Sequence, residues 1–78
     1  METMTIWLKN FKMLQQFVED CNRVDAEFEA VSGDFTANPK SIMGMMTLDL
    51  IRPLELRVVS SKVPQEELFK MLSNYAVV

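Results

Sequence analysis

The sequence predicts an α+β fold in two layers, with helices laid over the apolar face of a β-sheet. Three observations carry that prediction. Apolar residues alternate at period two in several short stretches, recur at three- and four-residue spacing in others, and the two periods follow one another in the order β-α-β-β-α-β-α. With 78 residues the chain is a single domain, residues 1–78. A domain of this length buries only about 60% of its unfolded surface, so its core has to be well packed.

The elements follow in order. Thr3–Leu8 alternates, with Met4, Ile6 and Leu8 on one face, as a half-buried strand does. Asn10 offers a side-chain oxygen to the free N–H groups of a helix beginning at Phe11. Along that helix Met13, Leu14, Phe17, Val18, Cys21 and Val24 form the apolar stripe, while Lys12, Gln15, Gln16, Glu19, Asp20 and Asn22 take the other face. The period then changes to two, so that Ala26, Phe28 and Ala30 point inward and Asp25, Glu27 and Glu29 outward. Ser32-Gly33-Asp34 is a turn, with Gly33 free to take positive φ, and Phe35-Thr36-Ala37 begins the partner strand of a hairpin.

Pro39 ends the extended segment, and Ser41 caps a short helix from Ile42 to about Leu48. Gly44 within it costs about 1 kcal/mol against alanine, so packing rather than propensity must hold this helix. Leu54–Val58 is the fourth strand. Pro64 suits the first position of a last helix whose first turn carries Gln65, Glu66 and Glu67, with Leu68, Met71, Leu72 and Tyr75 as its buried face. Periodicity supplies the elements but not the strand order.

Composition narrows the functional classes. At 49% hydrophobic and 24% charged the chain is too apolar to be disordered. A net charge of −3 lacks the basic footprint that phosphate-rich partners need, so neither nucleic acid nor an anionic membrane is the expected partner. No apolar run approaches the roughly 20 residues of a bilayer span. Met1–Thr5 is acidic and polar rather than a basic leader, so no signal peptide and a cytoplasmic location are expected. One cysteine, Cys21, supplies no disulfide and no zinc site; on the apolar side of the first helix it reads as packing. Asp25, Glu27 and Glu29 form a solvated strand face rather than a metal cage, and Asp49, Glu55 and Glu66 show no pairing suited to acid–base catalysis. No metal or other cofactor is expected.

The segment Asn38-Pro39-Lys40-Ser41-Ile42-Met43-Gly44-Met45-Met46-Thr47-Leu48 closely resembles the regulatory serine and short helix of HPr, the phosphocarrier family of the bacterial sugar phosphotransferase system. The resemblance covers most of the chain, most closely Asn10 to Val58, and is strongest at Ser41-Ile42-Met43-Gly44 with Met46 and Leu48. It implies an open-faced sandwich: a four-stranded antiparallel sheet with three helices on one face. Counted back from Ser41 at the family's spacing, Asn10 falls where the phosphorylated histidine belongs, Lys12 at an arginine that helps hold the phosphate, and Met13 at a usual proline. The loop before the helix is shortened and lacks the family's glycine, and Asp49 and Pro53 replace glycines near the fourth strand.

The chain contains no histidine at all. A phosphocarrier needs a nitrogen nucleophile that titrates near neutrality, and an asparagine amide is not one. Phosphoryl transfer is therefore not expected, and no enzymatic activity is; Asn10 is left as a helix cap and, with Lys12, at most a weak anion site. Ser41 is the opposite case. In HPr of many Gram-positive bacteria the matching serine is phosphorylated by an ATP-dependent kinase, and in the family the positions matching Ile42, Met43 and Met46 form an exposed apolar patch touched by enzyme I, the kinase and transcriptional regulators. Methionine is flexible and polarisable enough to serve several partners. Met45 and Leu48 are expected to pack inward.

The resemblance thus implies a Crh-like regulatory protein-interaction module, without the active histidine but with the serine. Its partners would be an HPr kinase/phosphorylase-like kinase, a transcriptional regulator or another phosphotransferase-system protein, and its state a monomer or weak homodimer. The alternative is a structural or adaptor domain that keeps the fold and serves a partner outside that system, with Ser41 only a cap.

Overall fold

The computed structural model describes residues 2–77. In chain order it contains β1 (Glu2–Ile6), α1 (Phe11–Asn22), β2 (Ala26–Ser32), β3 (Phe35–Ala37), α2 (Ile42–Met45), β4 (Leu54–Ser61) and α3 (Gln65–Leu72). The four strands form one antiparallel sheet in the order β1-β4-β2-β3, with the three helices on one face. The expected open-faced sandwich is present.

Register explains how the inner face stays apolar. Met4 and Ile6 lie opposite Leu56 and Leu54, and Phe28 and Ala30 lie opposite Val58 and Leu56. The register then shifts between Glu27 and Phe28, so that Ala26 and Glu27 pair with Ser61 and Ser60 and Val59 is left over, an exposed bulge residue. Without that extra residue the far end of β4 would turn its other face to β2. On the outer face Arg57 lies opposite Glu29, with its guanidinium 3.4 Å from the Glu29 carboxylate and 3.3 Å from Glu55. Glu29 is consequently half-buried rather than freely solvated. The β2–β3 turn places Gly33 at φ +59°, the left-handed region that glycine adopts at no steric cost.

The helices close the other layer. Leu14, Phe17, Val18 and Cys21 of α1 and Leu68 and Leu72 of α3 are buried with Ile6, Phe28, Leu54 and Leu56 in one core. Phe17, wholly buried, meets the Tyr75 ring edge-on with centroids 5.2 Å apart. The Tyr75 hydroxyl donates to Asp20 Oδ2 at 2.7 Å, tying the segment after α3 to α1. That segment continues along β1: Trp7 N donates to Tyr75 O and Val77 N to Thr5 O, both at 2.9 Å.

Boundaries differ from expectation in ways the hydrogen bonds explain. β1 ends at Ile6, although Leu8 is still buried, and β2 and β4 run on through Ser32 and Ser61. α2 stops at Met45 rather than near Leu48. The Gly44 carbonyl is taken by the Thr47 hydroxyl at 2.6 Å and the Thr47 amide at 3.1 Å, and Leu48 N turns to Met45 O instead, so the chain tightens into i→i+3 turns. Pro64 is the cap of α3, not its first helical residue. Its ψ of 144° is extended, while its carbonyl receives Glu67 N and Leu68 N.

Burial pushes the Cys21 thiol up to about 12, with the Asp20 carboxylate adding to the effect. Tyr75 is also raised, first by burial and then by its bond to Asp20. Both groups keep their protons to higher pH in the folded state than in the unfolded chain, where the thiol titrates at its ordinary 9.0. Their contribution to stability is therefore complete below about pH 9 and lost as pH rises from there towards 12. Urea midpoints are expected to hold level up to that threshold and then fall, and a thiol reagent at neutral pH should label Cys21 only at the rate of unfolding.

Candidate functional site

The loop into α2 is built from side chains that bond the backbone. Asn38 Oδ1 accepts from Lys40 N at 2.9 Å and its carbonyl from Ser41 N at 2.9 Å, which turns the chain over the buried Pro39. Asn22 Nδ2, at the end of α1, donates to Val18 O at 2.9 Å and to Lys40 O at 3.0 Å, pinning that turn to the first helix. Ser41 is extended (φ −112°, ψ 113°), and its Oγ accepts from Gly44 N at 3.1 Å. It is exposed. A Cβ at position 44 would lie 3.3 Å from Ser41 Oγ, so the glycine provides room for the cap to sit over the first turn.

Past Ser41 the expected split of α2 is present. Met45 and Leu48 are buried, Ile42 is half-buried, and Met43 and Met46 are 79% and 57% exposed. The hydroxyl of Ser41 and these apolar side chains therefore share one short, solvent-facing element.

Asn10 caps α1 as expected, with Oδ1 accepting from Met13 N at 2.9 Å and its carbonyl receiving Leu14 N at 3.1 Å. Its amide is engaged as a cap acceptor. Asn10→Ala is expected to cost about 1 kcal/mol, and Asn10→Gly only a few tenths, read from urea midpoints. Lys12 is exposed and joins no ion pair among the described residues. Met13 is half-buried against the core. The outward acids do not converge: Asp25 faces Lys62 at 3.8 Å, Asp49 faces Arg52 at 3.9 Å, and no group of three metal-ligating side chains occurs among the described residues.

The structure brings the Asn10 cap and α2 onto one surface through residues that periodicity did not single out. A pocket of about 480 Å³ is lined by Trp7, Leu8, Lys9, Asn10, Phe11, Leu14, Met46, Leu50 and Ile51. Phe11 and Ile51 are 53% and 83% exposed. Trp7 Nε1 donates to Ile51 O at 3.1 Å, holding the loop after α2 against the loop before α1, and the Lys9 ammonium sits 5.3 Å from the Trp7 ring centroid. The available signal was negative. Trp7 falls on the outward phase of its strand, Phe11 sits at the edge of the α1 stripe three residues before Leu14, and Ile51 belongs to no element, so none of the three has a central place in a core pattern.

No family model matches the sequence, and no curated protein matches it. Among solved structures, the chain is similar to the crystal structure of HPr-C-His from Thermoanaerobacter tengcongensis: 25% identity over 95% of this chain and 89% of that one, with a TM-score of 0.77.

Proposed function

We propose that this HPr-like protein is a regulatory protein-interaction module of the bacterial sugar phosphotransferase system, controlled by phosphorylation of Ser41. It would act in the cytoplasm on protein partners: a kinase of the HPr kinase/phosphorylase type, and a transcriptional regulator or another component of that system. The observation that carries this reading is the exposed Ser41 hydroxyl at the head of the short helix that also presents Met43 and Met46. The γ-phosphoryl group would pass from ATP to Ser41 Oγ, the β–γ phosphoanhydride bond breaking to release ADP and the hydroxyl proton being lost. The phosphoserine would carry about −1.5 to −2 charge beside the free N–H groups of the first helical turn, a favourable place for it. Charge placed next to Ile42, Met43 and Met46 alters docking while leaving the core, which lies beneath Met45 and Leu48, intact.

Loss of the phosphocarrier role rests on the missing nucleophile. Asn10 stands at the matching position with its amide committed to Met13 N, and no imidazole exists elsewhere in the chain. Incubation with such a kinase and ATP is expected to add one phosphoryl group at Ser41, located by mass spectrometry. An unmodified Ser41 beside a labelled HPr control would sink the proposal.

A second reading is favoured by one observation. Trp7, Phe11 and Ile51, which line the pocket beside Asn10 and Met46, are not among the residues that the resemblance implies, and they suit an adaptor whose partner lies outside the phosphotransferase system. In that case Ser41→Asp leaves partner capture unchanged.

A further inference from the structure

The structure assigns Met43 and Met46 as a reversible oxidation site, at which peroxide converts two exposed thioethers to sulfoxides and turns the apolar face of α2 polar. This modification is distinct from phosphorylation of Ser41. Only its consequence for the kinase rests on the reading of the chain as a regulatory module.

Exposure sorts the sulfurs of this chain. It has seven methionines and one cysteine. Met45 is wholly buried, and Met4, Met13 and Met71 are half-buried against the core. Among the described methionines only Met43 and Met46 are exposed, at 79% and 57%. A thioether is oxidised when its sulfur lone pair reaches the oxidant, so the exposed pair reacts before the others. A thiolate would compete, but Cys21 is wholly buried, and burial holds its proton up to about pH 12. Peroxide arriving from solvent meets the two α2 sulfurs first.

The step needs only hydrogen peroxide. A sulfur lone pair attacks one peroxide oxygen, the O–O bond breaks, and the second oxygen leaves as water. The sulfur gives up two electrons and keeps one oxygen as S=O, while the peroxide is reduced. The return step uses two thiols on a sulfoxide reductase. They supply the two electrons, become a disulfide, and the sulfoxide oxygen leaves as water.

Position gives the modification its effect. Met43 and Met46 are three residues apart on one helical turn, so both oxygens would stand on the same face. A flexible apolar side chain becomes a polar one with a strong hydrogen-bond acceptor, in the middle of an apolar patch. The helix itself does not depend on these side chains. Gly44 N bonds Ser41 Oγ, Met45 N bonds Ser41 O and Met46 N bonds Ile42 O, and the inward contacts belong to Met45 and Leu48. Oxidation therefore changes the surface beside Ser41 while the cap and the core persist.

The test treats the native protein with hydrogen peroxide at neutral pH and maps its peptides by mass spectrometry. Met43 and Met46 are each expected to gain one oxygen about tenfold faster than Met4, Met13, Met45 and Met71, with Cys21 unmodified and the urea midpoint kept. A hydrophobic column under native conditions should hold the oxidised protein less, and a sulfoxide reductase supplied with thiol should restore its retention. Labelling of Ser41 by kinase and ATP is expected to slow about tenfold after peroxide. Met43→Leu/Met46→Leu, compared with its own untreated form, should lack that response. Oxygen spread evenly over the methionines, oxidation of Cys21 or Met45 first, a midpoint that falls as oxygen enters, or unchanged retention overturns the proposal. Labelling indifferent to peroxide overturns it equally. The peptide map and the column need no kinase, so an untreated Ser41 that takes no phosphate sinks the regulatory reading alone.

Discussion

Replacing Phe17 by alanine is expected to cost about 3–5 kcal/mol, the usual result of emptying an aromatic site in a packed core. Phe17 is wholly buried where α1, the sheet and the segment after α3 meet, and its ring supports Tyr75 edge-on. Native domains hold roughly 0.05–0.15 kcal/mol per residue, so a chain this short can lose much of its stability in one substitution. The loss should read out as a lowered urea midpoint by circular dichroism. Phe17→Leu keeps more of the apolar volume and should cost clearly less. A change under about 1 kcal/mol for the alanine variant would mean that α1 and α3 are not packed together around this ring.

At Ser41 the expected effect is complete loss of phosphoryl incorporation, and the choice of substitution separates chemistry from capping. Ser41→Ala removes both the acceptor hydroxyl and the bond from Gly44 N, costing about 1 kcal/mol besides. Ser41→Asn retains a good cap and loses only the acceptor. Both variants should remain unlabelled by kinase and ATP, with only the alanine form showing a lowered midpoint. Label persisting in Ser41→Asn would place the modification on another hydroxyl, with the exposed Thr36 and Thr47 on either side of it the first to check.

The elements were legible because each obeys one period and one punctuation rule. The α1 stripe, the inward Ala26, Phe28 and Ala30, the turn at Gly33 and both helix caps follow from local chemistry alone. The ends of α2 and α3 were not legible, because they turn on which donor takes a particular carbonyl: Thr47 at Gly44, and Glu67 with Leu68 at Pro64. The candidate site divides in the same way. Ser41, Met43 and Met46 sit on one short stretch whose pattern repeats a known one, so sequence sufficed. The pocket joins Trp7, Phe11, Leu50 and Ile51 across two loops. Only the strand order, which no periodicity encodes, brings those loops together.

The position of β4 between β1 and β2 also governs when the domain can form. Met4 meets Leu56, and Phe28 meets Val58, so neither β1 nor most of β2 has a partner until residues near the C-terminal end exist. As the chain leaves the ribosome, only the β2–β3 hairpin can pair early, while Ile6 and the apolar face of α1 wait uncovered. Such long-range pairing slows folding and makes it cooperative. A nascent chain halted before Leu54 would remain unfolded, and its exposed apolar surface would make it a substrate for chaperones rather than a half-built domain.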